Sequence, residues 1–290
     1  TVEYFIASSA IGGIWSSCSP DFGTAGVIER FSQIKPKILI IADKYFYNGK
    51  EMNVIERLPE ILKKIKSIKH VVIINYPGEK FLNFKLKNNI KLHYWKNIRK
   101  NKPDKKLFTK YNFNTPLAIL YSSGTTGKPK CICHRTGGVL LQHLKEHQLH
   151  CEIKENDNVF YFTTCGWMMW NWLVSCLASK ASIVLYDGFP MYKKPEQLLD
   201  IVEKEKITLL GVSAKYIDAL KKLKVKVNRK YKFNKLKTIC STGSPLSDDG
   251  FKYVYQNIKQ DVHLASISGG TDIVSCFVLG NIYQPVILGE

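Results

Sequence analysis

The sequence predicts an α/β fold in which substantially parallel sheets are flanked by helices. Short apolar runs of strand length alternate along the chain with segments of helical periodicity. Several of those runs are apolar at nearly every position, as strands covered on both faces should be. Alternating strands and helices are the usual wiring of parallel sheets. A chain of 290 residues, 45% apolar and 23% charged, has room for one large core or two smaller ones.

Strands are predicted over 38–42, 71–75, 117–121, 181–186, 208–212, 236–240 and 262–267, and a return strand over 131–134. Helices are predicted over 25–34, 53–68, 138–150, 195–206, 214–223 and 247–258. Pro195 suits a first helical turn. Ser247 followed by Asp248 and Asp249 suits a helix N-terminus, where carboxylates meet the positive end of the dipole. The Lys- and Asn-rich stretch 77–115 is the weakest segment. It marks the expected boundary between a first α/β subdomain (1–115) and a second (116–290).

The formal net charge is +19. The basic residues gather in two polar stretches, Lys80 to Lys110 and Lys221 to Lys237, without interleaved aromatics and Arg or any finger motif. A solvated Lys-rich surface explains them, and no nucleic-acid partner is expected. The eight cysteines form no CxxC pair, and the lone CxC at Cys131–Cys133 lacks a companion, so neither a zinc site nor a disulfide framework is implied. The most apolar stretch, 167–179, is too short to span a bilayer and is interrupted by Asn171. A cytosolic protein is expected. Thr1–Ala7 already carries a helical apolar pattern without an initiator Met, and Gly289-Glu290 follow the apolar run 285–288. Truncation at both ends is the expectation.

The chemistry concentrates after the strand 117–121, in Ser122-Ser123-Gly124-Thr125-Thr126-Gly127-Lys128-Pro129-Lys130. Hydroxyl side chains, two glycines and two lysines make a loop rich in donors and positive charge, able to close over a polyphosphate. A Ser/Thr/Gly surface turn is the plain alternative. A Walker A loop needs Gly-Lys followed by Ser or Thr opening a helix. Here Pro129 and a second strand follow, so that motif is rejected.

This nine-residue string resembles the ATP loop of the adenylate-forming superfamily of acyl-CoA synthetases, luciferases and peptide-synthetase adenylation domains. The resemblance implies the large N-terminal adenylation domain of that fold. It also implies that Thr125, Thr126 and Lys130 hold the β- and γ-phosphates of ATP, with Lys130 and Thr271 acting in catalysis. Two further segments follow in the family's order. Ser241-Thr242-Gly243-Ser244-Pro245 resembles the adenine-contacting turn. Ser268-Gly269-Gly270-Thr271-Asp272 resembles the motif whose Thr touches the α-phosphate and whose acid helps hold Mg²⁺. Asp272 stands where most relatives have Glu, a shorter but still hard oxygen ligand. Read singly, the first is an ordinary strand–helix turn and Asp272 a capping residue.

In Thr163–Trp172 the resemblance implies an acyl-pocket wall with Trp167, Met168 and Met169 nearest the carboxylate, completed by Thr242 and Gly269. Trp170 and Trp172 are expected to be buried. Gly269 falls where acetate-activating relatives carry a Trp that closes the pocket, so a somewhat longer acid should fit. Ile14–Ser17, Ser19–Gly23, Tyr47–Glu51, His143–His147 and Gly166–Trp172 resemble the acetoacetate-activating branch of the superfamily. That implies acetoacetate, ATP and CoA as substrates, acetoacetyl-CoA, AMP and pyrophosphate as products, and Mg²⁺ as cofactor. His134, beside the loop, is read as a packed or hydrogen-bonded histidine and not as a base. Relatives carry an adenylation lysine on a mobile C-terminal domain, which would lie beyond Glu290, so the piece alone is expected to be nearly inactive. The alternatives are another short-chain acyl-CoA synthetase and a truncated, non-catalytic nucleotide-binding product.

Overall fold

The computed structural model describes residues 1–76, 86, 89–102, 108–122 and 127–287. They form two compact units. One comprises Glu3–Tyr111 with Leu117–Cys133, and the other Thr1–Val2, Asn112–Pro116 and His134–Glu290. The strand–loop–strand segment therefore groups with the N-terminal unit, although the Lys-rich stretch suggests a boundary near 115. The cause is backbone pairing at long sequence separation: Trp15 N donates to Leu117 O at 2.9 Å, and Ile119 N donates to Trp15 O at 2.8 Å.

The first unit runs α1 (Val2–Ala10), α2 (Thr24–Ile34), β1 (Ile38–Ala42), β2 (Lys44–Tyr47), β3 (Lys50–Asn53) and α3 (Leu58–Lys64). It continues with β4 (His70–Ile74), β5 (Lys91–Tyr94), α4 (Trp95–Ile98), β6 (Pro116–Ser122) and β7 (Lys130–Arg135). β1, β4 and β5 form a parallel sheet, with Ile40 opposite Val72 and Val72 opposite His93. Phe31 of α2 and Leu58 and Ile61 of α3 bury against Leu39, Ile41, Val71 and Ile73. The helix predicted over 53–68 is shorter: Asn53 closes a hairpin, Ile55–Arg57 form a 3-10 turn, and α3 ends at Lys64. β2 and β3 turn at Asn48 and Gly49, both with positive φ (49° and 77°). Asn-Gly is the pair a two-residue hairpin turn of this kind favours.

The second unit contains α5 (Thr136–Lys145), β8 (Asn158–Tyr161), α6 (Met168–Ser175), β9 (Ser182–Val184), α7 (Gln197–Lys204) and β10 (Leu209–Ser213). It ends with α8 (Ala214–Lys222), β11 (Thr238–Thr242), α9 (Asp248–Asn257), β12 (His263–Ser266), β13 (Ser268–Gly270) and β14 (Ser275–Val278). Five strands pair in parallel in the order β12-β11-β10-β8-β9. In chain order this is 5-4-3-1-2, a doubly wound arrangement whose connections reverse between β8 and β10. The strand Asn158–Tyr161 is not among those the sequence predicts. Leu236 lies in a turn, its N–H donating to Phe233 O at 3.0 Å, so β11 starts two residues later than expected.

Alternation along these strands explains their apolar character. Phe160, Leu210, Val212, Ile239 and Leu264 bury on one face against Leu198, Leu199, Val202, Ile217, Leu220 and Val254. Val159, Tyr161, Leu209, Cys240 and Ala265 bury on the other against Trp172, Leu173 and Cys176. Every second residue thus serves a different core. Gly211 sits opposite Tyr161 in the ladder, and a Cβ at 211 would land in the Tyr161 ring. The missing side chain lets the ring cross the strand, so that its hydroxyl donates to Thr242 Oγ1 at 3.0 Å on β11.

α5 continues into a π-helical turn, Glu146–His150, and its inner face is polar and fully buried. Burial holds His143 below the usual imidazole range and lowers His147 from 6.5 to about 3. Desolvation pushes Glu146 upward, but hydrogen bonds from Ser275, Gln142, Cys276 and Trp172 outweigh it and hold the carboxyl below 4.5.

Two predictions follow from these cores. Gly211→Ala should overpack the sheet and cost about 1–3 kcal/mol in urea unfolding. It should also displace Tyr161 from Thr242, and an unchanged midpoint would contradict the ring crossing. The second concerns acid. All three groups have folded pKa values below their unfolded ones, so the unfolded chain takes up more protons as pH falls. Their stability is present above about pH 6.5 and is lost first through the histidines, then through Glu146 below about 4.5. Each histidine should steepen the loss by up to about 1.4 kcal/mol per pH unit. His147→Gln should flatten the unfolding free energy between pH 6.5 and 4, and an unchanged slope would show that His147 is not the titrating group.

Candidate functional site

In a parallel sheet all carboxyl ends lie at one edge, and in doubly wound sheets ligands bind outside that edge. In the second unit the candidate segments emerge there. Residues 162–167 leave β8 and enter α6. Thr242 closes β11 and is followed by Gly243, Ser244 and Pro245, and β12 leads into 268–272. Trp167 caps α6 and is 64% exposed, while Met168 and Met169 are half-buried. Trp170 and Trp172 are buried at 4% and 1% exposure, as expected from sequence.

Gly243 to Pro245 are exposed, and Gly243 has φ +86°, a conformation that favours glycine over any other residue. The turn is tied to its neighbour strand where Leu246 N donates to Ser266 Oγ at 3.3 Å. Ser247 then caps α9, its Oγ accepting from Gly250 N at 3.2 Å, with Asp248 and Asp249 in the first turn. This start matches the sequence reading.

β13 and β14 form a hairpin with a register shift at Ser268/Gly269. Between the strands, Thr271 is half-buried and Asp272 exposed. His134 Nε2 donates to Thr271 O at 2.8 Å, so this ring is a fixed donor, as the sequence suggested. Burial lowers its pKa, partly offset by the Thr271 carbonyl and the nearby Asp272 charge. A Cβ at Gly269 would run into Ser275 O and the Cys276 backbone, whereas one at Gly270 would meet nothing within 4 Å. Gly269 is therefore required by the close approach of the two strands, besides any effect it has on a pocket.

In the first unit, the loop leaves β6 at Ser122 and returns through Gly127, Lys128 and Pro129 to Lys130, the first residue of β7. Ser123, Gly124, Thr125 and Thr126 lie outside the described residues. Gly127 has φ +138°, Lys128 and Lys130 are exposed, and Pro129 is buried. A strand and not a helix follows the glycine–lysine pair, which agrees with rejecting a Walker A loop. The framework is set by α2 and the segment before it. Gln33 Nε2 donates to Pro129 O at 3.0 Å, Ser16 Oγ donates to Ile119 O at 2.8 Å, and the Arg30 guanidinium stacks 5.9 Å from the Tyr121 ring.

Asp272 carries the metal argument. No ion pair or hydrogen bond is described for it among the described residues, and no cluster of three or more His, Cys, Asp or Glu side chains occurs among them. A single exposed carboxylate suits Mg²⁺, which binds through one or two carboxylates together with substrate phosphates and water. The string His143-Leu144-Lys145-Glu146-His147 has the spacing of one zinc-binding helix motif. Apart from His147 Nδ1, its donors are engaged elsewhere. His143 Nε2 donates to Val274 O at 2.6 Å, the His147 Nε2 edge faces Cys176 Sγ at 3.4 Å, and Glu146 accepts from Ser275. Glu146 and Ser275 fall in or beside strings that carry the resemblance, but the sequence assigns them no role, nor Tyr161 or Gln142. The only available signal was a run of polar residues on what should be the buried face of α5.

Comparison with known proteins fits this geometry. The family model described as AMP-binding enzyme matches residues 1–283. The chain is 48% identical over 291 residues to the acetoacetyl-coenzyme A synthetase of Rhizobium meliloti and 47% identical over 292 residues to the acetoacetyl-CoA synthetase of Gallus gallus. Both alignments cover 100% of this chain and 44% of the relative. Among solved structures it resembles an acetoacetyl-CoA synthetase from Streptomyces lividans, with a TM-score of 0.92 and 37% identity. That match again covers 100% of this chain and 44% of the other. The chain thus spans less than half the length of the relatives it matches, and it belongs to the family of AMP-binding enzymes.

Proposed function

We propose that this chain supplies the ATP- and acid-binding part of an AMP-forming acetoacetate–CoA ligase. The observation that carries it is the emergence of 163–169, 241–245 and 268–272 from the carboxyl ends of one parallel sheet. The similarity to acetoacetyl-CoA synthetases supports the choice of acid.

In the first step an acetoacetate carboxylate oxygen attacks the α-phosphorus of ATP. The bond to the β-phosphate breaks and pyrophosphate leaves. Little proton transfer is needed, so positioning and charge neutralisation carry the rate. Ser122–Lys130 would cradle the β- and γ-phosphates, with Lys130 the anchoring cation. Gly243, Ser244 and Pro245 would lie along the adenine, and Gly270 would allow the backbone close to the nucleotide. Thr271 would contact the α-phosphate. Mg²⁺, held by Asp272 and the phosphates, would offset the charge of the leaving pyrophosphate. Trp167, Met168, Met169, Thr242 and Gly269 would wall the acid. In the second step the CoA thiol attacks the acyl carbon and AMP departs.

No helix among the described residues is long and apolar enough to cross a membrane, and all eight cysteines are unbridged, which suits a cytosolic placement. Because the relatives are more than twice as long as their matched portion, the 290 residues alone should have little synthetase activity.

The test is ATP–pyrophosphate exchange by the complete gene product with a panel of short acids. Acetoacetate should be preferred over acetate, propionate and butyrate. Lys130→Ala should lower exchange by about 10²–10³, the usual cost of removing one donor from developing charge. A preference for acetate would overturn the choice of acid, and full activity in Lys130→Ala would overturn the anchoring role.

A further inference from the structure

We infer that Glu146, with Gln142, His143 and Ser275, is a positioning assembly that fixes the turn presenting Thr271 and Asp272. This rests on the nucleotide-site reading above and adds residues that the reading does not require. The turn between β13 and β14 is unusual. Val274, β-branched and 4% exposed, adopts φ +50°, which is costly for such a side chain and persists only when its surroundings over-determine it.

Besides His134 on β7, which bonds the Thr271 carbonyl, the polar groups that hold this turn lie on α5, its π-helical continuation and α6. His143 Nε2 donates to the Val274 carbonyl at 2.6 Å, and its Nδ1 lies 2.9 Å from Ser175 Oγ on α6. The Ser275 hydroxyl donates to Glu146 Oε1, and Gln142 Nε2 bridges to Glu146 Oε1 at 2.8 Å and Ser275 Oγ at 2.6 Å. Cys276 N donates to the same oxygen at 3.4 Å, while Trp172 Nε1 donates to Glu146 Oε2 at 2.9 Å. Glu146 and His143 are 1% and 0% exposed. A carboxylate so placed is tolerated only because donors surround it. The core would be simpler if these positions were apolar. The network's one directional product is the fixed path of residues 271–276. The π-helical turn widens the helix where Glu146 must reach inward, and such turns frequently mark functional sites.

Glu146→Gln keeps the shape but replaces one carboxylate oxygen with an NH2, which must face either the Gln142, Ser275 and Cys276 donors or the Trp172 donor. In the complete gene product it should lower kcat for ATP–pyrophosphate exchange about tenfold to a hundredfold, the scale of a 1 Å displacement. It should also raise the Mg²⁺ concentration needed for half-maximal rate, with KM for the acid little changed. Ser275→Ala, a milder cut, should shift both quantities the same way by less. Leu220→Ala, in the opposite core, should lower the melting temperature while leaving kcat and the Mg²⁺ requirement as they are. Wild-type kcat and Mg²⁺ requirement in both Glu146→Gln and Ser275→Ala overturn the inference, as do equal losses in Leu220→Ala. Absence of any acid-dependent exchange in the wild type overturns the functional reading itself.

Discussion

The parallel pairing of five strands is the constraint on which the rest of the second unit depends. A parallel connection must return over a face of the sheet, so both faces acquire helices and both must be apolar. The same wiring delivers every strand's carboxyl end to one edge. Loops at that edge are free to carry polar chemistry because the strands beneath are fixed by burial on either side. Gly211 shows how narrow the tolerance is: the sheet gives up one side chain so that Tyr161 can brace Thr242 across an intervening strand.

A second constraint operates on the covering helices. A buried polar atom without a partner costs roughly 1–3 kcal/mol, so a polar face turned inward must find donors and acceptors. On α5 the partners are the backbone and hydroxyl of a two-stranded hairpin too short to hold its own geometry. Gln142, His143 and Glu146 therefore couple a rigid helix to the turn at Thr271 and Asp272. One cost of the arrangement falls on acid stability, since both histidines must stay neutral and Glu146 ionised.

Legibility in the sequence followed the size of the physical signal. Apolar runs such as 38–42 and 208–212 declared their strands because double-sided burial leaves little else they could be. The loop motif and the Ser247 cap were legible because they depend on residue types at fixed local spacing. Asn158–Tyr161 is hard to read because a run of only three aromatic and β-branched residues, Val159 to Tyr161, suits either element. The hairpin at Asn48-Gly49 carries a clear turn signal, but the apolar pattern of the following helix runs back through the 3-10 turn Ile55–Arg57 to Asn53, the last residue of the hairpin. Glu146 and Ser275 lie far apart in the chain, and no local pattern marks a pair joined only by tertiary packing. The division into units was hidden for the same reason, because it turns on the pairing of Trp15 with 117–119.

Gly269 brings the two constraints together. As a sequence feature it reads as the removal of a bulky lid, which would make room for a longer acid. In the fold it is also the point where β13 and β14 approach too closely for any Cβ, with Cys276 opposite and the Ser275 carbonyl oxygen against it. Ser275 is one of the groups bound by Glu146. A larger side chain at 269 would therefore have to displace a strand that the buried carboxylate holds. On the proposed function, acid size and the geometry of the turn carrying Thr271 and Asp272 are then not independent variables. Changing the acid by substitution at 269 alone should disturb adenylation with every acid, unless the partners of Glu146 are changed with it.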